Sequence, residues 1–188
     1  MIHRHRGLTL LELLLALGII TSLMAMSLPG LPGLFQQQHG QHVLESTAIA
    51  IRAARSAAVT GSTQVTICPT MDAVGCSGDW NDGLIAFVDP HGTRQAPEAD
   101  MIVHMVQWPE LSGSISWRAF GNRQYLQIDS LGQLLDQNGN FTWCPDNGDN
   151  RLNHQLVVNR SGRLRLARDH NGDGFRQDSQ GQAIDCSD

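Results

Sequence analysis

Lysine is absent from the 188 residues, so all 13 side chains in the Lys-plus-Arg count are arginine. Against 18 acids they leave a formal charge of −5, which argues against a uniformly basic nucleic-acid binder. Any electrostatic role has to come from how the arginines are distributed. Catalytic signatures are missing too: there is no Gly-x-Ser-x-Gly, no His-Glu-x-x-His and no phosphate-cradling glycine loop, and the eight His include no i, i+4 pair. The chain reads as a non-enzyme. No Cys-x-x-Cys pair stands beside suitably spaced His, which argues against a zinc site. Internal repeats and low-complexity tracts are absent as well.

Charge is also nearly absent between Leu8 and Leu31, where Glu12 is the only ionised side chain. A carboxylate in a membrane-length apolar run costs a few kcal/mol, so its presence points to a partner. The preceding residues carry Arg4 and Arg6 with two His and no acid. That basic leader would stay on the cytoplasmic side and leave the bulk of the chain outside. A secretory signal would place its small residue after the apolar core, whereas here Gly7 precedes it.

Basic leader, Gly7, then an apolar helix whose fifth residue is Glu12: this pattern resembles the class III signal of type IV pilins and pseudopilins. The resemblance implies that a prepilin peptidase cuts between Gly7 and Leu8 and methylates the new N-terminus on Leu8. It further implies that Glu12 pairs with the free amine of a neighbouring subunit. The expected location is the bacterial inner membrane, single-pass with the head in the periplasm, and then a pilus at the cell surface.

Four regions are expected: a leader over 1–7, a transmembrane and polymerisation segment over 8–31, an amphipathic helix half over 32–61, and a β-rich head over 62–188. The head is long enough for one core of its own. Leu8 to Thr60 reads as a long helix with Val43, Leu44, Ala48, Ile51, Ala54, Ala58 and Val59 as its apolar stripe. Pro29 and Pro32, with Gly30 and Gly33, interrupt it, and Gly61 is expected to end it. Short β-rich runs follow at 63–68, 84–89, 101–107, 114–118, 124–129, 155–159 and 163–168. A helix first and strands after give an α+β fold, a type IV pilin-like helix packed on an antiparallel sheet.

Cys68, Cys76, Cys144 and Cys186 all lie on the non-cytoplasmic side of the leader, so disulfides are expected. Three pairings are possible. Because Cys68 and Cys76 bracket a short Pro- and Gly-containing loop, the preferred pairing is Cys68 with Cys76 and Cys144 with Cys186. The run from Cys68-Pro69 through Cys76 to Asp79-Trp80-Asn81-Asp82-Gly83 and on into Leu84–Asp89 resembles the GspH/FimT branch of pseudopilins and minor pilins. Its residues suit structural roles, with Asp82-Gly83 as a turn and Trp80 as an apolar cap on a sheet edge.

Between Arg151 and Arg168 stand five Arg and no acid. Runs 155–159 and 163–168 flank a turn at which Gly162 can take positive φ, so the segment reads as a β-hairpin. Alternation sends Arg163, Arg165 and Ala167 to one face and Leu164 and Leu166 to the other. The two arginines would stand about 6.6 Å apart at ~3.3 Å per residue, a separation of the order of neighbouring phosphates. Each can clamp one phosphate bidentately. Gly162-Arg163-Leu164-Arg165 also resembles the GRxR element of FimT-like minor pilins, linked to DNA capture in natural transformation. The resemblance implies Arg163 and Arg165 as main contacts to double-stranded DNA, with Arg160 and Arg168 assisting.

Asp169, Asn171 and Asp173, with Gly174, match the first half of a calcium loop, but Gln180 replaces the bidentate Glu at its twelfth position. A polar turn leading to Cys186 is the preferred reading, and no cofactor is expected. Two functions follow. One is a FimT-like minor pilin that binds DNA for uptake. The other is structural: a GspH-like minor pseudopilin of a type II secretion system, or a minor pilin that primes assembly. In each, the partners are other pilin subunits.

Overall fold

The computed structural model describes residues 9–27, 31–95, 98–108, 111–135 and 138–186. The chain divides into two compact units, Met1–Phe35 and Gln36–Asp188. The first contains α1, Leu10–Ser27, which opens with Thr9 Oγ1 accepting from the Glu12 amide at 3.3 Å. Large apolar side chains are exposed all round it, from Leu10 to Met24. Among the described residues no helix is long and apolar enough to cross a membrane. At ~1.5 Å per residue the 18 residues of α1 fall just short of a ~30 Å bilayer core. Leu8 and Leu28–Gly30, which would complete the expected span, lie outside the described residues, as does Pro29.

A second helix, α2, runs Leu31–Thr60 with Pro32 in its first turn, where a missing N–H is tolerated. Within the larger unit its stripe is buried at Val43, Leu44, Ala48, Ile51, Ala54 and Ala58, joined by Thr47 and Ala50. Val59 departs from the expected stripe and is 48% exposed, because the helical repeat turns it about 100° away from the buried Ala58. The helix ends at Thr60, immediately before Gly61 as expected, but a different residue takes the cap conformation. Ser62, not Gly61, takes the left-handed conformation (φ 47°). The Thr63 amide donates to Ala58 O at 3.0 Å and the Ser62 amide to Val59 O at 3.3 Å, closing a Schellman motif.

The head has two four-stranded antiparallel sheets where one was expected. With β1 Val65–Pro69, β2 Gly83–Val88, β3 Ile102–Gln107, β4 Gly113–Ala119, β5 Leu126–Ile128, β6 Gly139–Pro145, β7 His154–Val158 and β8 Leu164–Leu166, the orders are β3-β2-β1-β5 and β4-β6-β7-β8. Both contribute to one core beneath α2. The strand absent from the sequence reading, β6, lies in the interior of the second sheet and carries the fully buried Phe141 and Trp143. Helix and strand approach so closely here that a Cβ on Gly40 would run into the Trp143 indole, so a side chain at this position would push the two apart.

Trp80 is buried in this core and does not cap an edge. It meets Phe141 edge-on with ring centroids 4.9 Å apart and donates from Nε1 to Gln124 Oε1 at 3.1 Å. Asn81 Oδ1 accepts from the Ile115 amide at 2.7 Å, tying the Asp79–Gly83 turn to the other sheet. Cys68 is joined to Cys76 and Cys144 to Cys186, with Cα separations of 5.4 and 6.1 Å. The second bridge fastens the C-terminal segment to β6.

Candidate nucleic-acid interface

The hairpin forms where alternation and turn chemistry put it. Leu156, Val157 and Val158 of β7 stand opposite Leu166, Arg165 and Leu164 of β8. The turn is closed by Asn159, whose Oδ1 accepts from the Arg163 amide at 3.0 Å and from Ser161 Oγ at 2.8 Å. Gly162 takes φ +74°, and a Cβ there would lie 2.9 Å from Gly132 O and 3.2 Å from the Arg55 side chain. A bond from the Leu134 amide to Arg160 O at 2.8 Å fastens the turn to the neighbouring loop.

The strand is shorter than the sequence suggested. It covers Leu164–Leu166, with Arg163 before it and Arg168 in an isolated bridge to Gln177. Arg163, Arg165 and Arg168 are exposed, as is Arg160, while Leu164 and Leu166 are half-buried against the core. Ala167 corrects the expected alternation: it is 5% exposed and does not share the open face. It follows directly after β8, and its amide donates to Gln155 O at 2.8 Å, which holds it against β7.

β8 is an edge strand, and a groove of about 590 Å³ runs between it and α2. Its floor is Ala48, Leu156, Leu164 and Leu166, and its cationic lining includes Arg52, Arg165 and Arg168, with His170 beside them. Glu45 is the one carboxylate among the lining residues. Arg168 also lines a second cavity of about 420 Å³ with Arg151, Arg176 and Asp169. Arg176 is half-buried and donates to Arg151 O at 2.9 Å and Asn153 O at 3.3 Å. Burial pulls its guanidinium below the usual range, opposed by the Asp169 carboxylate.

Arg52 and Arg55, three residues apart on α2, are the basic residues that sequence reasoning missed here. They flank the apolar stripe, which is the ordinary place for solvated charge. Only the packing of α2 beside β8 makes neighbours of residues more than 100 positions apart.

The Asp169–Gly174 loop closes on itself. The Asp169 carboxylate accepts from the Gly172 amide at 2.7 Å and the Gly174 amide at 2.9 Å; these bonds, that to Gly174 foremost, hold it below the usual carboxylate range. Asn171 Oδ1 accepts from Gln177 Nε2 at 2.9 Å, and Asp173 Oδ1 accepts from the Phe175 amide at 2.8 Å. Asp178, the carboxylate nearest the Gln180 position in sequence, accepts from the Gln180 and Gln182 amides at 2.7 and 3.0 Å. Calcium would have to compete with these bonds. Glu12 is exposed on α1, and Gly7 and Leu8 lie outside the described residues.

Residues 44–162 match the family described as type II transport protein GspH, and residues 2–28 match the prokaryotic N-terminal methylation motif. No curated protein matches the sequence. Among solved structures, the type IV minor pilin FimU of Pseudomonas aeruginosa is similar at 20% identity and a TM-score of 0.54, with 72% of this chain and 92% of that one covered. The minor pseudopilin EpsH from the type 2 secretion system of Vibrio cholerae is similar at 11% identity and a TM-score of 0.50, with 68% and 95% covered. These identities bear on the fold alone, which they share with this chain.

Proposed function

Because the chain belongs to the GspH family of pilins and pseudopilins, we propose that it is a minor type IV pilin whose β7–β8 hairpin binds extracellular double-stranded DNA non-specifically, for uptake in natural transformation. The observation that carries this is the pair Arg163, just before the edge strand β8, and Arg165 within it, both exposed while the intervening Leu164 packs against the core. Nonspecific binding needs phosphate neutralisation more than base-reading side chains, and a local charge of five arginines without an acid supplies it. Arg160 and Arg168 assist at the rim, and Gly162 shapes the turn that presents them. No cofactor takes part.

In this reading the prepilin peptidase cuts between Gly7 and Leu8, and the helix from Leu8 anchors the protein in the inner membrane with the head in the periplasm. Glu12 then pairs with a neighbouring subunit's N-terminal amine, and assembly carries the hairpin to the cell surface.

The test is a titration of fluorescent duplex with the full chain in detergent, at low and physiological salt, beside Arg163→Ala/Arg165→Ala. The parent should bind with a slope of log affinity on log salt that falls by about 1.8 in the double variant, ~0.9 for each lost phosphate contact. A parent that does not bind, or a double variant that binds equally well, would leave the structural role in a type II secretion pseudopilus or in pilus priming. In cells, the double variant should lose transformation while filaments persist.

A further inference from the structure

We infer that Arg52 of α2 is a phosphate contact in the same DNA interface, so that the binding surface passes over the β8 edge and onto the helix. The inference rests on the DNA reading above. Arg52 is exposed and lines the groove together with Arg165 and Arg168, so cationic side chains reach it from both the helix and the strand edge. The floor between them is apolar, with Ala48 and Leu164 below and the half-exposed Ile49 beside Arg52. A sugar-phosphate backbone laid along such a groove turns its charged oxygens to the rims and its less polar sugar faces to the floor. Each guanidinium offers the fork that phosphate accepts bidentately.

Charge complementarity selects a polyanion for a further reason. Arg52, Arg165 and Arg168 outnumber the single carboxylate Glu45 in the lining, so the groove repels a basic segment and attracts a continuous run of anionic groups. Glu45, on the same helix about two turns before Arg52, is the opposing charge in the groove; its Oε1 accepts from Gln41 Nε2 at 2.8 Å and holds no guanidinium among the hydrogen bonds described. Its field works against a bound phosphate strand, so removing it should strengthen binding.

The experiment uses the full chain in detergent and a fluorescent duplex, with affinity measured across a salt series for the parent, Arg52→Ala, Arg52→Lys, Glu45→Gln and Arg163→Ala/Arg165→Ala. Arg52→Ala should weaken binding about fivefold at low salt and reduce the salt slope by about 0.9, whereas Arg52→Lys should keep the slope. Glu45→Gln should tighten binding about twofold. Thermal midpoints of the exposed-site variants serve as the folding control. If the parent binds and the double variant weakens it, but Arg52→Ala changes neither affinity nor slope, the DNA reading stands and the helix contact is overturned. The helix contact is likewise overturned if Arg52→Ala leaves DNA binding intact and instead blocks incorporation into filaments, which would assign this face to a neighbouring subunit. A parent that binds no duplex removes the DNA reading itself.

Discussion

The stretch from Asp79 to Asp89 and the stretch from Asn159 to Arg168 each pair a charged turn with a short strand, yet their charged side chains are committed differently. In the first, Asp79 and Asp82 accept from backbone amides of their own turn, at 2.7 and 2.9 Å. Asp89 is 5% exposed and accepts from Thr66 Oγ1 at 2.7 Å and from the Thr93 and Arg94 amides at 2.9 and 3.0 Å. In the second, the uncharged Asn159 does the turn's work, and the guanidiniums of Arg163 and Arg165 point to solvent. Charge spent on backbone amides holds the fold, and charge left at the surface is available to a ligand. Substitutions in the first stretch should therefore change stability, and those in the second should change binding.

The largest effect lies where the C-terminal segment is fastened to the sheet that carries the hairpin. Cys144→Ser/Cys186→Ser opens a bridge spanning 42 positions and should cost about 4 kcal/mol in chemical denaturation on the chain-entropy account. A loss no larger than that of the Cys68–Cys76 bridge, about 2.6 kcal/mol for its separation of 8, would show that the tail is held mainly by its other contacts. Asp89→Ala strands a buried hydroxyl and two amides and should cost roughly 3 kcal/mol by the same measurement. Burial pushes the Asp89 carboxyl up, but the bonds from Thr66, Arg94 and Thr93 outweigh it and hold the group below its ordinary 3.8. Its contribution is accordingly present above that value and fades as pH falls through the lower folded one, an acid limb that the variant should lack.

A separate pH window belongs to His154. Burial first, and the positive Arg176 second, lower it from its ordinary 6.5 to about 4, against a backbone bond at Gln37. The unfolded chain takes up this proton at higher pH than the folded one. Stability should therefore drop by an amount on the order of 3 kcal/mol as pH goes from about 6.5 to about 4, and level off below. Urea midpoints at half-unit pH steps will show this, and His154→Gln should flatten the curve between those limits.

Within the hairpin, Gly162→Ala forces a left-handed φ on a residue with a Cβ and crowds Gly132 O. It should cost about 1–2 kcal/mol and weaken DNA binding in proportion to the distortion of the turn. Arg163→Ala/Arg165→Ala should stay within about 0.5 kcal/mol of the parent in stability. A larger loss would collapse the contrast between the two stretches, because the arginines would then be structural as well.

The helix stripe and the hairpin were legible because both rest on short-range periodicity. Val43, Leu44, Ala48, Ile51, Ala54 and Ala58 recur at the helical repeat, and Leu164 and Leu166 flank Arg165 at the strand repeat. Strand β6 escaped because Gly139, Asn140 and Pro145 are turn residues in isolation, and only pairing with β4, and for Gly139 and Asn140 also with β7, makes an extended chain of them. Ser62 rather than Gly61 took the left-handed cap because the register of the last helical turn decides which residue falls there. Ala167 is buried where its amide is held to Gln155 O of β7, a contact that alternation does not specify.

From the sequence alone came the membrane-directed N-terminal pattern, the helix-then-strands order, the hairpin and its arginine spacing, all of which depend on neighbours within a few residues. Tertiary structure decided that there are two sheets, that Trp80 joins the core they share, and that Arg55 lies beside the Gly162 turn and Arg52 beside β8, each more than 100 positions away in sequence. The physical reason is range. Dihedral preference and alternation act along a few bonds, whereas a groove exists only once burial of the apolar stripe has laid α2 against the edge of β8.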